Sequence, residues 1–483
     1  MIKYLLLAPM LTGILCLISK KQKQLEFINL LGSTTTLLLG LALVVSVFKN
    51  GIVVTWNDVV FADAFSTYLV LIVSLVGFAT SLYSIGYLGY EMRQGIMDIK
   101  KLRLYYCLFH MFMFSMLLVG VTNILGLWIA IELTTLVSAP LIILYSKKSS
   151  VEAAWKYLII CTVGITFALF GTILTYYAAV QVFEGSQEAI DWASLVSVAD
   201  QFDPVLMKIA FIFVLIGYGT KAGLAPMHTW LPDAHSEAPT PVSAMLSGVL
   251  LNCAMYAIIR FYTLTAPSTG TEFTSSLLVA FGLLSVGIAV PFIILQKDYK
   301  RLLAYSSVEH MGIIAVGIGF GGILGVSGAL LHMFNHAMTK PLMFFGAGNV
   351  LLKYGTKEID MVSGVVRSMP LTGTMLLLGG LAITGAPPFG IFISEFMVLA
   401  AGFYHGNIIS TVLLLLFIIM IFGGFFSHIS RMALSTPDYN VKGEVSRWTL
   451  VAMVLLMVFV LVPGLYIPPQ LYEMILRVVE VLR

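Results

Sequence analysis

The chain has 483 residues, of which 59% are hydrophobic and only 11% charged, and its mean hydropathy is +0.97. Soluble domains carry roughly 25% charged residues, so this chain has too few charges to cover a water-soluble surface, and its composition defines a polytopic membrane protein. A net charge of +3 on 27 basic and 24 acidic residues excludes nucleic-acid binding by bulk electrostatics, and the scattered Cys16, Cys107, Cys161 and Cys253 build no disulfide framework, CxxC motif or iron–sulfur ligand set.

The first apolar stretch, 2–19, looks like a signal peptide but lacks a small-x-small cleavage site. A second apolar run follows directly after SKKQKQ, so 2–19 is read as a retained span. Further spans are predicted at 27–48, 64–88, 104–121, 124–145, 154–182, 205–231, 240–263, 273–295, 302–321, 323–352, 371–402, 407–430 and 448–466, fourteen in all. They are helices, because backbone groups in lipid must be satisfied internally. Segment 49–63 reads as a small hairpin, and the tail after 466 as an amphipathic helix lying on the membrane surface.

Charge between the spans alternates. The loops that join odd to even spans hold 19 of the 27 basic residues, among them Lys20, Lys21, Lys100, Lys101, Lys147, Lys300 and Lys357. Even-to-odd loops hold almost none, and the sixth-to-seventh loop carries Glu184, Glu188, Asp191, Asp200 and Asp203. By the positive-inside rule this places the odd-to-even loops in the cytoplasm and both termini outside the plasma membrane. The seventh-to-eighth loop, with no Lys or Arg, is the exception.

Lys208, Lys221, Lys340, Glu132, Glu395, His110, His310, His332 and His336 fall within spans. A charge at mid-bilayer costs at least about 2.5–3.5 kcal/mol on insertion scales, so each needs a compensating role. Glu132 lies about seven residues, or roughly 10 Å of helix, into the fifth span; it either bonds a neighbouring helix or carries charge. Lys208 sits near a helix end, where it snorkels.

Lys221 is different. It stands among Gly217, Gly219, Gly223 and Pro226, so the seventh helix is expected to break just beyond it and free carbonyls for a cation or water. Asn252 falls near the middle of the eighth span, where it bonds across helices or orders water between Lys221 and the eleventh span. In that eleventh span His332, His336 and Lys340 recur every four residues and share one helical face beside Pro341. A metal would suit the two histidines, but no third ligand is evident nearby; a proton wire is the leading reading. Gly385, Pro387, Pro388 and Gly390 break the twelfth helix ahead of Glu395. Two broken spans in corresponding positions imply inverted five-helix repeats, spans four to eight and nine to thirteen. The chain then divides into 1–103, the repeats 104–265 and 266–433, and a terminal segment 434–483.

No GxGxxG after a strand, P-loop or catalytic triad can be placed, so no catalytic, redox or cofactor centre is expected in the chain itself.

Three stretches carry a resemblance. GYGTKAGLAPMHTWLPDAHSEAPTPVSAMLSGVLLN (217–252), KRLLAYSSVEHMG (300–312) and HMFNHAMTKPLMFFGAGNV (332–350) resemble the antiporter-like proton-conducting family. That family comprises large membrane subunits of respiratory complex I, Mrp cation/proton antiporter subunits and the membrane arm of group 4 hydrogenases. AIELTTLVSAPLIILY (130–145) and EAAWKYLIICTVG (152–164) are most similar to the component F type of hydrogenase-4, found in formate-hydrogenlyase-type complexes. The resemblance implies that Glu132 gates Lys221. It also implies that His332, His336 and Lys340 continue the path, that Glu395 is the acid of the twelfth helix, and that His310 is a polar position of the tenth. Asn252 stands where many relatives carry lysine or histidine. The chain stops at Arg483 without the long lateral helix of the largest members, so it resembles the shorter, inner type of subunit.

The resulting expectation is a proton-translocating subunit with a hydrogenase-like peripheral partner and further membrane subunits. Alternatives are an Mrp-type antiporter subunit without a redox partner, and a quinone- or haem-binding electron carrier.

Overall fold

A computed structural model describes residues 1–55, 59–183, 187–436 and 442–482. Residues 56–58 of the predicted hairpin, Glu184 and Arg483 lie outside them. Helices dominate: α1 (Ile2–Ile18), α2 (Gln22–Asn50), α3 (Ala64–Arg93), α4 (Ile99–Gly120), α5 (Ile124–Ile142), α6 (Lys148–Phe183), α7 (Trp192–Ser197), α8 (Pro204–Ala222), α9 (Trp230–Glu237) and α10 (Thr240–Met245). The second half holds α11 (Leu251–Thr269), α12 (Thr271–Ile294), α13 (Tyr299–Phe320), α14 (Gly322–Tyr354), α15 (Val365–Ser368), α16 (Pro370–Ile383), α17 (Gly390–Tyr404), α18 (Ile408–Leu434), α19 (Arg447–Leu465) and α20 (Pro469–Val481). Helical backbone covers most of each predicted span, with interruptions in the seventh and twelfth. Among the described residues, 11 helices are long and apolar enough to cross a membrane, and Ile2–Ile18, Pro370–Ile383 and Gly390–Tyr404 are shorter apolar helices.

Local chemistry sets the ends. Asp63, Asp98, Asn123 and Asp203 each accept a backbone N–H three residues on, capping α3, α4, α5 and α8. The seventh predicted span is indeed broken: α8 stops at Gly223, whose φ of +78° is left-handed, and the chain resumes as α9. The twelfth is broken in the same way, with Gly385 at φ +71° between α16 and α17.

The helices sort by exposure. The stretch Thr240–Thr269, α13 and most of α3 and α14 form the buried centre, while α2, α6, α12, α18 and α19 turn apolar faces outward, as lipid-facing helices must. Small residues allow close approach: Gly217 of α8 meets Ala168 of α6, and Gly282 of α12 abuts Gly312 of α13. In the centre, Leu246–Leu250 forms a π-turn between α10 and α11, with Gly248 against Pro341 of α14.

The predicted hairpin is present as antiparallel strands β1 (Val53–Thr55) and β2 (Val60–Ala62). The tail is α20, which buries Met474, Ile475, Val478 and Val479 and anchors Arg477 on the Phe48 carbonyl. The charge exception also has a structural reason. Asp233 and Glu237 of α9 pair with Lys156, Arg301 and Lys357, so this loop contributes the acids that neutralise lysines and arginines of its neighbours.

Candidate functional site

Two groups of buried polar side chains form inside the bundle. In the first, Lys221 is the last lysine before the break of α8 and is fully buried. Its Nζ donates to Thr135 Oγ1 at 2.8 Å and to Tyr157 OH at 2.5 Å. It also sits 4.5 Å from the Tyr157 ring centre and 6.0 Å from that of Trp230, which stabilises an ammonium by cation–π attraction. Tyr157 OH is in turn 2.7 Å from Ser138 Oγ. Glu132 makes no ion pair with Lys221 among the described residues. Thr135, one turn along α5, stands between them and faces both. Glu132 and Lys221 are nevertheless within direct electrostatic reach of each other. Glu132 is only half-buried, at the α5–α6 surface of the chain, with Oε2 unpartnered.

The second group is larger and joins α13, α14 and α17. His310 Nδ1 lies 2.9 Å from His332 Nε2, and His332 Nδ1 lies 2.9 Å from Ser394 Oγ. The His336 ring is 5.3 Å from that of His310, and neither His336 nitrogen has a protein partner. Lys340 Nζ donates to the Leu303 carbonyl at 2.8 Å and to Ser306 Oγ. Glu395 sits on the first turns of α17 with its carboxylate in the notch left by Gly385.

That notch exists because residue 385 has no Cβ. One placed there would stand 2.0 Å from Glu395 Oε2, and the positive φ adds about 1–2 kcal/mol of strain for any other residue. Gly385→Ala is expected to displace the carboxylate and suppress transport, whereas Gly423→Ala, which meets open space, leaves it unchanged. Transport assays on the two variants, with assembly checked alongside, distinguish a shaped notch from a generic helix break.

Asn252 lies apart from both clusters in bonding. Its Nδ2 donates to Gly248 O at 2.9 Å and to Met333 O at 3.2 Å, tying the π-turn to α14, while Oδ1 has no protein partner. His110 bonds Asn29 at 3.1 Å between α4 and α2 and joins neither cluster. Lys208 is exposed, with its ammonium 5.5 Å from the Phe273 ring, as snorkelling requires.

The group of possible metal ligands found among the described residues leaves out His336 and so does not complete the His332–His336 pair: ligand atoms of His310, His332 and Glu395 all lie within 4.8 Å of one another. The two imidazoles already share a hydrogen bond, however, and a metal taking both of those nitrogens would have to break it. Two buried charged residues inside predicted spans were also missed. Glu309 is buried within electrostatic reach of Lys340. Arg260 forms a bidentate pair with Asp63 at 2.7 and 2.6 Å, ringed by Phe61, Phe65, Trp192 and Tyr256. Burial pushes the Asp63 carboxyl up, but the guanidinium overrides that and holds it below the usual carboxylate range. Counting every Arg and Glu within the spans would have found both residues.

An all-helical membrane bundle with two broken helices and buried titratable groups beside each break is the architecture of antiporter-like membrane subunits. The sequence profile of the family described as NADH:quinone oxidoreductase/Mrp antiporter, TM, matches residues 121–423, and the chain belongs to that family. It is 40% identical over 412 residues to a hydrogenase-4 component F homolog of Methylacidiphilum infernorum (isolate V4), covering 85% of this chain and 86% of that one. Its fold matches a chain of the membrane-bound sulfane sulfur reductase, an archaeal respiratory membrane complex, with a TM-score of 0.87 at 23% identity, covering 99% and 97% of the two chains. A chain of the Mrp complex from Dietzia sp. DQ12-45-1b matches with a TM-score of 0.84 at 17% identity, covering 98% of each. These relatives are subunits of multisubunit membrane complexes.

Proposed function

We propose that this chain is the proton-translocating subunit of a membrane redox complex of the group 4 hydrogenase or formate-hydrogenlyase kind, driven by a hydrogenase-like peripheral arm. The observation that carries the reading is the hydrogen-bonded series His310–His332–Ser394 beside Glu395, flanked on the same helix by His336 and Lys340. Imidazoles bonded in series accept a proton on one nitrogen and release one from the other, which a purely structural network does not require.

In this reading Glu132, through Thr135, stabilises the protonated Lys221. Loss of that support releases the proton past Asn252 toward His336, Lys340 and His310, and from there through His332 to Glu395. On this reading the chain holds two inverted repeats, 104–265 and 266–433, with Lys221 beside the break at Gly223 and Pro226 and Glu395 beside the break at Gly385, Pro387, Pro388 and Gly390. The flanking segments 1–103 and 434–483 complete the bundle. Basic loops face the cytoplasm and both termini face outward in the plasma membrane. The half-buried Glu132 on the α5–α6 surface supports a neighbouring membrane subunit there, because a carboxylate left against lipid is costly.

Redox-driven acidification by vesicles carrying the assembled complex tests the reading. Proton transfer that depends on Glu395 is expected, with hydrogenase-like subunits co-purifying. Transport that persists with no redox partner, coupled to an alkali-cation gradient, would establish an Mrp-type antiporter instead, which the likeness in fold to the Mrp chain also accommodates.

Asn252 offers a finer test. An amide does not titrate, so protons pass it only along water ordered by its free Oδ1. Asn252→Leu should slow translocation about tenfold or more while every titratable group remains. A normal rate would leave the residue as a brace between α11 and α14.

A further inference from the structure

A second set of buried groups opens at the lysine-rich end of the bundle and takes no part in the path described above. A cavity of about 390 Å³ there is lined by Tyr87, Tyr145, Lys300, Thr356, Lys357 and residues 236–238. Behind the Tyr145 wall stands Glu91 of α3, almost fully buried. Tyr145 OH donates to its Oε1 at 2.6 Å, and its Oε2 has no protein partner. Next in the chain to the lining residue Ser236 stands His235, fully buried, with neither ring nitrogen partnered and its ring stacked on Phe344. Lys300 Nζ donates to the carbonyls of Ser236 and Ala238 at 3.2 and 2.7 Å, so it fixes the backbone immediately after this histidine. Lys340 and His336 both lie within electrostatic reach of His235.

A carboxylate and an imidazole buried with free polar atoms are costly unless they have work to do or water to bond. Here Glu91 is bonded to the lining residue Tyr145, and His235 adjoins the lining residue Ser236 while lying within electrostatic reach of Lys340 and His336. We propose that this cavity is a proton inlet to the second cluster, with Glu91 as the collecting carboxylate, His235 as the relay and Lys300 as the residue that positions the relay. The proposal rests on the reading of the chain as a proton conductor and adds an entrance that bypasses Glu132 and Lys221. A proton leaves hydronium in the cavity for Glu91 Oε2 and then crosses by cavity water to one nitrogen of His235. The other nitrogen gives up its proton to Lys340 or His336. No bond other than those to the moving protons changes, and the relay returns to neutral after each transfer.

Inverted vesicles carrying the assembled complex, with the lysine-rich end outward, provide the test. Thr356→Cys places a thiol in the cavity wall, and a membrane-impermeant charged methanethiosulfonate added outside should then cut proton translocation about fivefold or more. The parent complex treated identically should keep its rate. Glu91→Gln and His235→Phe, the latter preserving the stack on Phe344, should each lower translocation about tenfold, with Glu91→Asp recovering part of the loss. Parental rates in the modified Thr356→Cys complex, or in assembled Glu91→Gln and His235→Phe complexes, would overturn the inlet while leaving the conductor intact. A parent complex that moves no protons at all would overturn the functional reading and the inlet with it.

Discussion

Lys221→Ala is expected to stop proton translocation, by about a hundredfold or more, in a complex that still assembles. The lysine provides the only titratable nitrogen among the described hydrogen-bond partners of Thr135 and Tyr157, so its loss leaves hydroxyls that neither take up nor release a proton near neutral pH. Assembly should survive because the end of α8 is held independently. Gly223 caps it, Trp230 Nε1 donates to the Thr220 carbonyl at 2.8 Å, and Gly217 packs on Ala168. Glu132→Gln keeps the shape and removes the charge, and should depress transport in the same direction. Redox-driven acidification, measured together with the intact subunit composition, decides the matter. An assembled Lys221→Ala complex pumping at the parental rate would exclude the lysine from the path.

Asp63→Ala should have the largest effect on stability, about 3–5 kcal/mol, because it strands a buried guanidinium. The pair joins the start of α3 to α11, and the aromatic ring around Arg260 keeps water from replacing the lost carboxylate. Thermal unfolding in detergent should show the loss, with much of it recovered in an Asp63→Leu/Arg260→Met double variant that leaves no charge unpaired. A pH dependence follows from the same pair. The Asp63 carboxyl is held below its ordinary range in the folded protein, so its contribution is complete above the ordinary carboxylate pKa. It disappears as pH falls through the lowered one.

Much of this was legible in the sequence. Apolar runs located the helices because lipid imposes a nearly one-to-one relation between hydropathy and span. Gly223 and Gly385 announced the two breaks because a left-handed residue after a helix favours glycine. The four-residue spacing put His332, His336 and Lys340 on one face. What stayed hidden depends on contacts between distant helices. Nothing in the spacing shows that Ser394 would meet His332, that Thr135 would stand between Glu132 and Lys221, or that Glu395 would join His310. Arg260 and Glu309 were visible but sat in otherwise apolar strings, and their partners come from elsewhere in the chain. His235 lies in a loop-like motif whose burial is set by Phe344 and Lys300, both more than sixty positions away in sequence.

The aromatic and hydroxyl cage around Lys221 bears on which ion the first half can carry. The place ringed by two hydroxyls and two π faces is already filled by an amine fixed to the chain. An alkali ion entering within about 5 Å of that ammonium would meet a repulsion of about 3 kcal/mol at an effective dielectric constant near 20, and it would have to shed its hydration as well. A proton meets neither obstacle, since it travels as the charge of the amine itself. On the proposed reading the covalently attached occupant would act as a filter, turning away sodium and potassium where hydrogen ions pass.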